Sequence, residues 1–399
     1  NISGISSVTA TSYFGNGENL TGVGFKQDSQ GNLVAGGGAG AAKDADTCFN
    51  IMIGCISGAS LNQGDHNILL GCKSGNGITS GLYNIAFGHA AGCNMVSSIG
   101  NIVMGNLAAK GVIGSNNIVL GNDTVASSSS GNDNIILGQQ AAYNMGNASN
   151  NIVIGCKSGC DITTGGDNVF LGRYSGGNAT TANNSVAIGH AALSGGIVTG
   201  YYNIAFGLNS GKCTSSGASN ITIGCGAGKC VTTGYQNIYL GDAAGLGLAS
   251  AATGFNNVAL GQGAGYAICC AQHSVFIGTN AGYCNKIGKR NTYIGCGAGR
   301  CLGQSGGNDN VAIGHCAMRG SSTPGSNTGG SNVSIGEGSG FAITSGSYNV
   351  LLGRESGCAV TSGQRNILIG TQVQAASATG NCQLAIGNST DRWITGDSS

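Results

Sequence analysis

Apolar residues in this chain come in triplets fenced by Asn on one side and Gly on the other. Asn151-Ile152-Val153-Ile154-Gly155-Cys156-Lys157-Ser158-Gly159 is the clearest instance: Asn, apolar, variable, apolar, Gly, two free positions, a small residue, Gly. The glycine closing the triplet recurs from Gly54 to Gly387 at a step of 17 residues, with a few steps of 16 to 22. A weaker unit comes first, Asn32-Leu33-Val34-Ala35-Gly36, for about 21 units in all. A 17-residue unit is too short for a strand and helix but fits one coil of a stacked array. The expected fold is all-β: a β-solenoid (β-roll) rod of about 21 coils. Coils that hydrogen-bond along the axis at ~4.8 Å give a rod on the order of 100 Å long.

Within a unit the triplet reads as a short strand, whose side chains alternate between faces. The first and third positions, as in Ile51 and Ile53, Ile85 and Phe87, or Ile221 and Ile223, are apolar nearly throughout and are expected to fill the coil interior. The middle position is then expected to point outward. Yet it too is mostly apolar, as at Met52, Leu69, Val103, Ile136, Phe170, Tyr239 and Phe276. Strands apolar on both faces are covered on both faces, so the rod is expected to pack against copies of itself, as a homotrimer. Gly after the triplet permits a bend or positive φ. The small-Gly pair, as in Ser74-Gly75 or Ala227-Gly228, makes a second corner. A second short strand is expected at stretches such as Ile162-Thr163-Thr164 and Val231-Thr232-Thr233, closed by Gly-rich turns.

The opening Asn stands in 17 of the 20 clear units, with Ser185, Ser274 and Gln383 in the others. Asn50, Asn67, Asn84, Asn101, Asn117, Asn134, Asn151 and Asn168 are therefore expected to form an amide ladder along the rod. The longest step holds an insertion, Arg319 to Gly330, expected at a coil corner. Outside the repeat, residues 1–31 form a lead-in, with β-prone Ile5–Phe14 ending at the turn signal Gly15-Asn16-Gly17. The shaft is assigned to 32–388 and an exit segment, with the single Trp393, to 389–399. The first Met is Met52, and the sequence is expected to be an internal or processed piece.

Composition narrows the partners. Gly is abundant at 77 residues, but one Pro and no three-residue period argue against collagen. At 41% hydrophobic and 8% charged, the chain can bury apolar surface and is not of the disordered class. A net charge of +1 without charge runs gives no electrostatic case for nucleic acid. No apolar stretch has membrane-spanning length, so insertion into a membrane is not expected.

Chemistry finds little foothold. The 17 cysteines sort by repeat position. Three pairs, Cys55 with Cys72, Cys213 with Cys230 and Cys284 with Cys301, share a register on adjacent coils. A spacing near 4.8 Å falls inside the Cα range of a disulfide, so these are possible disulfides, beside the reading of thiols as buried corner fillers. They do not cluster as Cys-x2-Cys metal sites do, and no metal or cofactor is expected. His89, His190 and His315 share one repeat position several coils apart, so they cannot form one site. The 15 acids are scattered through turns, as at Asp65, Asp133, Asp167, Asp242, Asp309, Glu337 and Glu355, rather than paired for glycan cleavage. The chain is not expected to be an enzyme.

Units such as Asn84-Ile85-Ala86-Phe87-Gly88-His89-Ala90-Ala91-Gly92 resemble the Asn-Thr-Ala-Ile-Gly-Tyr-x-Ala repeats of phage tail-fibre proteins. They resemble more distantly the head repeats of trimeric autotransporter adhesins, which are trimeric β-rolls. The lead-in from Tyr13 to Gly24 and the exit from Asp391 to Ser399 are similar to segments of cyanophage virion structural proteins. The resemblance implies a homotrimeric fibre shaft at a virion surface or outside the cell, a stiff spacer for attachment to a host surface glycan or receptor. The alternative is an extracellular adhesin or self-assembling surface filament binding glycans or other filaments. A third reading, ice binding, requires a regular Thr ladder, and Thr79, Thr163, Thr199, Thr232, Thr344 and Thr361 are interrupted by coils without Thr.

Overall fold

The computed structural model describes residues 27–111, 113–127, 129–247, 252–321 and 326–397. Most of the lead-in, including Ile5–Phe14 and Tyr13–Gly24, lies outside them, as do residues 322–325 of the insertion. The described chain has no helix. It is a parallel β-solenoid in which each coil gives one three-residue strand, from β1 (Leu33–Ala35) and β2 (Ile51–Ile53) through β8 (Ile152–Ile154) to β20 (Ile367–Ile369). Each strand pairs with the next in unshifted register: Ile51 faces Ile68, Met52 faces Leu69 and Ile53 faces Leu70. The 22-residue step over the insertion is absorbed without a slip, since Val311 still faces Val333. Parallel neighbours need a long connection between them, and here the rest of the coil supplies it as a chain of turns.

Two glycines per coil fix the path. Gly155 takes φ +133°, and a Cβ there would sit 2.5 Å from the carbonyl oxygen of Gly172 in the next coil. Gly159, at φ +51°, leaves room for Ile162, whose Cδ1 would be 2.7 Å from an added Cβ. Stretches such as Ile162–Thr164 do not form the expected second strand. Ile162 turns inward and is fully buried, and the chain bends at the next residues. What remains of a second sheet is single backbone bonds between coils, such as Thr163 N–H to the Thr180 carbonyl at 2.8 Å, and isolated bridges such as Val231 with Ala252.

The core corrects the expected facing of the strand. The middle residue points inward: Met52, Leu69, Val103, Val153, Phe170, Tyr239, Phe276 and Tyr293 are fully buried. The first and third residues point outward and are half-buried or exposed along the whole sheet. The reason is volume. A thin coil has room for one strand side chain, which meets the small residue before the second glycine (Ser74, Ala91, Ala227, Ala264) and an apolar residue from the last turn (Leu61, Ile78, Met95, Ile162), all buried. Small residues flank the largest ones over part of the axis, where Phe276 and Tyr293 lie side by side with rings 5.5 Å apart. Ala259 lies between Tyr239 and Phe276, and Ala312 follows Tyr293.

At the far end β21 (Gln383–Gly387) pairs parallel with β20, and β22 (Arg392–Asp397) returns antiparallel along β21. Ile394 pairs with Ile386 there, and Trp393 stands 75% exposed.

Candidate assembly face

The ladder asparagines form a buried spine. The backbone N–H of Asn67 donates to Asn50 Oδ1 at 2.8 Å, and Asn67 Nδ2 donates to the same oxygen at 3.0 Å and to the Gly81 carbonyl at 2.8 Å. The pattern repeats through Asn84, Asn101, Asn117, Asn134, Asn151 and Asn168. Ser185 preserves the acceptor, taking the Asn203 N–H at 3.2 Å. Buried amides with their donors and acceptors used carry little cost, and here they lock each coil to the one before.

Outside the spine lies the sheet's open face. Of the forty outward positions in β1–β20, two in each of 20 strands, Thr292 is the one polar residue. Phe87 is 51% exposed, Phe206 54%, and Leu240 and Ile367 43% each; most of the rest are half-buried against their neighbours along the columns. Side-by-side columns are ~6.7 Å apart and rungs ~4.8 Å apart, so the band covers on the order of 1,000 Å². Ordinary monomers expose apolar patches of a few hundred Å². The apolar stripe that the sequence places at the middle position is therefore real, but it belongs to the first and third positions.

Two further columns escape a reading of the sequence by strand pattern. The residue before each ladder Asn adopts a left-handed conformation, with φ +59° at Asp133, +60° at Asn150 and +57° at Asp167. Its enrichment in Asn and Asp was the available signal, since those residues tolerate this region best after Gly. On three successive coils the rings at this position meet, Phe49–His66–Tyr83 at 5.2 and 5.0 Å. The second column is the small residue before the corner. Where it is Ser, its hydroxyl donates to the middle carbonyl of the next strand, as Ser74 to Ala86 at 2.7 Å and Ser356 to Leu368 at 2.9 Å.

Most of the remaining candidates scatter, but His315, Glu337 and Glu355 line one hollow together with Cys316, Phe341 and Cys358. His89, His190 and His315 are exposed on separate coils, and His89 Nδ1 lies 3.1 Å from Asn106 Oδ1. Asp309 makes a bidentate pair with Arg290 at 2.6 and 2.8 Å, and Glu337 and Glu355 both pair with Arg354. The Thr79, Thr163, Thr232, Thr344 and Thr361 hydroxyls bond carbonyls of the next coil. All the described cysteines stand as free thiols: Cys55 and Cys72 are exposed, Cys213, Cys230 and Cys284 half-buried, and Cys301 buried. Among the described residues no group of three or more His, Cys, Asp or Glu is placed to hold a metal.

No protein-family model matches the chain, and a search of curated proteins returns no relative.

Proposed function

We propose that the chain is the shaft of a structural fibre, three copies joined through the outward apolar columns around a common axis. The observation that carries this reading is the unbroken apolar face, two columns wide and about 20 rungs long. An occupant must match a ~4.8 Å repeat over on the order of 100 Å, and a second copy of this chain has that repeat at every rung. At ~25 cal/mol/Å², covering ~1,000 Å² contributes on the order of 25 kcal/mol per chain. That exceeds the ~4–15 kcal/mol lost in association. Three copies bring six apolar side chains to each layer and close around them, and rotational symmetry keeps every rod pointing the same way.

Such a rod acts by geometry. It holds an attachment point and a tip apart, and coil-on-coil hydrogen bonding makes it stiff. The resemblance of its repeats to phage tail-fibre repeats supports a place at a virion surface or outside the cell, engaging a host surface glycan or receptor. No catalysis, cofactor, nucleic acid or membrane insertion is part of this reading. Mass per unit length of the native rod, from scattering-mode microscopy, tests it. Three chains per cross-section are expected. One chain per cross-section overturns the assembly, and end-to-end polymers with no attached particle favour a surface filament instead.

A further inference from the structure

The cysteines are not chemically equal. Burial pushes the Cys93 and Cys230 thiols up, and Cys160 up to about 11. Such thiols stay protonated and inert. Cys284 and Cys301 are placed differently. Cys284 N–H donates to the Arg300 carbonyl at 2.7 Å and Cys301 N–H to the Arg319 carbonyl at 2.9 Å, so the two occupy one register position on consecutive coils. Their Cα atoms stand about one rung, ~4.8 Å, apart, inside the range a disulfide bridges without backbone movement.

Both line a hollow of about 390 Å³ together with Tyr283, Arg300 and Arg319. Arg300 is held over the Tyr283 ring at 5.6 Å, and that ring stacks on Tyr266 at 4.6 Å. Arg319 is held over Phe341 at 5.4 Å. Two fixed guanidinium groups thus border the pair, with Lys286 on the same turn as Cys284. The adjoining Cys301 thiol, helped by Arg300, Gln304 and Lys286, brings Cys284 down to about 6, while Cys284 and burial hold the proton on Cys301. Access divides the roles the same way: Cys284 is half-buried and Cys301 is 6% exposed.

We propose that Cys284 and Cys301 are a reactive dithiol site, in which Cys284 attacks a low-molecular-weight disulfide and Cys301 resolves the product into a cross-link between coils. The Cys284 thiolate displaces one thiolate from the disulfide RS–SR and forms a mixed disulfide. With the negative charge gone from Cys284, Cys301 gives its proton to solvent, and its thiolate attacks the Cys284 sulfur and expels the second RS⁻. The two cysteines lose two electrons and two protons, and RS–SR becomes two RSH. The site stands apart from the proposed assembly face, so its fate and that of the fibre reading are separable.

The test is peptide-resolved alkylation of the full native chain with iodoacetamide and, on a separate unalkylated sample, treatment with oxidised glutathione. At pH 6 a thiol near 6 is about half ionised and one at the reference 9.0 about a thousandth. The lower nucleophilicity of the more acidic thiolate returns part of this, leaving Cys284 about 20-fold faster. Its rate should be half-maximal near pH 6. Oxidised glutathione should release two glutathione equivalents and leave a Cys284–Cys301 disulfide, and Cys301→Ser should keep one glutathione on Cys284. Alkylation of Cys284 no faster than that of exposed Cys55 and Cys225 overturns the proposal, as does glutathione retained on Cys284 in the native chain.

Discussion

Aspartate placed on the two sides of one strand separates the core from the assembly face. In β8 the outward residues are Ile152, 37% exposed, and Ile154, half-buried, while Val153 between them is fully buried. The variant Ile152→Asp/Ile154→Asp removes apolar packing that is only partial in a single chain. Its cost to the coil is about 1–2 kcal/mol for the two sites together. In a three-chain assembly the same variant puts six carboxylates into one dry layer, at several kcal/mol for each ion. Per chain that is two ions, on the order of 10 kcal/mol, which with the ~4–15 kcal/mol lost in association offsets most of the ~25 kcal/mol gained per chain by covering the face. Val153→Asp does the reverse. It buries one unpaired charge in the core, and the rod should crack at that coil at a cost of several kcal/mol.

Sedimentation and native mass measure assembly; far-UV circular dichroism and limited proteolysis measure the fold. Ile152→Asp/Ile154→Asp should run as a folded single chain, with proteolysis no faster than in the parent rod. Val153→Asp should be cut near the altered coil. If Val153→Asp yields a folded single chain and the double variant is the one that unfolds, the assignment of faces is reversed. If the double variant assembles as the parent does, the outward columns are not the interface.

Asn151→Leu removes the acceptor of two bonds from Asn168 and the donor to the Gly165 carbonyl, leaving buried groups unpaired. The expected loss is about 1–3 kcal/mol, read as a lower unfolding midpoint, with Asn151→Ser milder because Ser185 and Ser274 already serve at that position. Gly155→Ala drives a Cβ against the Gly172 backbone at a φ that L-residues avoid, and should cost about 1–3 kcal/mol and open a protease site at that coil. Tyr293 and Asn285 bury a hydroxyl and an amide without hydrogen-bond partners among the protein atoms. Tyr293→Phe should therefore leave thermal stability unchanged or raise it by up to about 1 kcal/mol, and a drop of 2 kcal/mol or more would refute that account.

The period, the strands and the ladder were legible because each rests on a residue type with a single structural use. Gly at two left-handed corners and Asn at the coil seam have few substitutes, and their spacing counts the coils. The second strand was misread because Ile162-Thr163-Thr164 has strand composition. Its apolar residue is instead spent on the core, and its Thr163 hydroxyl bonds the next coil from a turn. The reactive thiol pair was legible only as a coincidence of register. Cys213 and Cys230 also follow lysines; what distinguishes the pair is a hollow bordered by Arg300 and Arg319, each held over an aromatic ring, and the sequence alone does not place those groups around one sulfur.

Which face of the strand is inside could not be read from hydrophobicity, because all three residues are apolar. A different signal was present. The middle column mixes sizes, with Ala205, Thr222, Tyr239, Ala259, Phe276, Tyr293 and Ala312 in succession, and Ala259 and Ala312 flank the adjacent large pair Phe276 and Tyr293. Compensation of this kind belongs to a closed space of fixed volume, where an extra methylene is felt by its neighbours. The first and third columns hold Ile, Val and Leu with little variation from Ile51 to Ile369. A surface facing only water has no use for such constancy, and a core with fixed volume does not require it. Constancy at every rung is what a regular partner demands, one that meets each coil in the same way over the full length of the rod. The variable column marks the interior, and the uniform columns mark the face on which the proposed assembly rests.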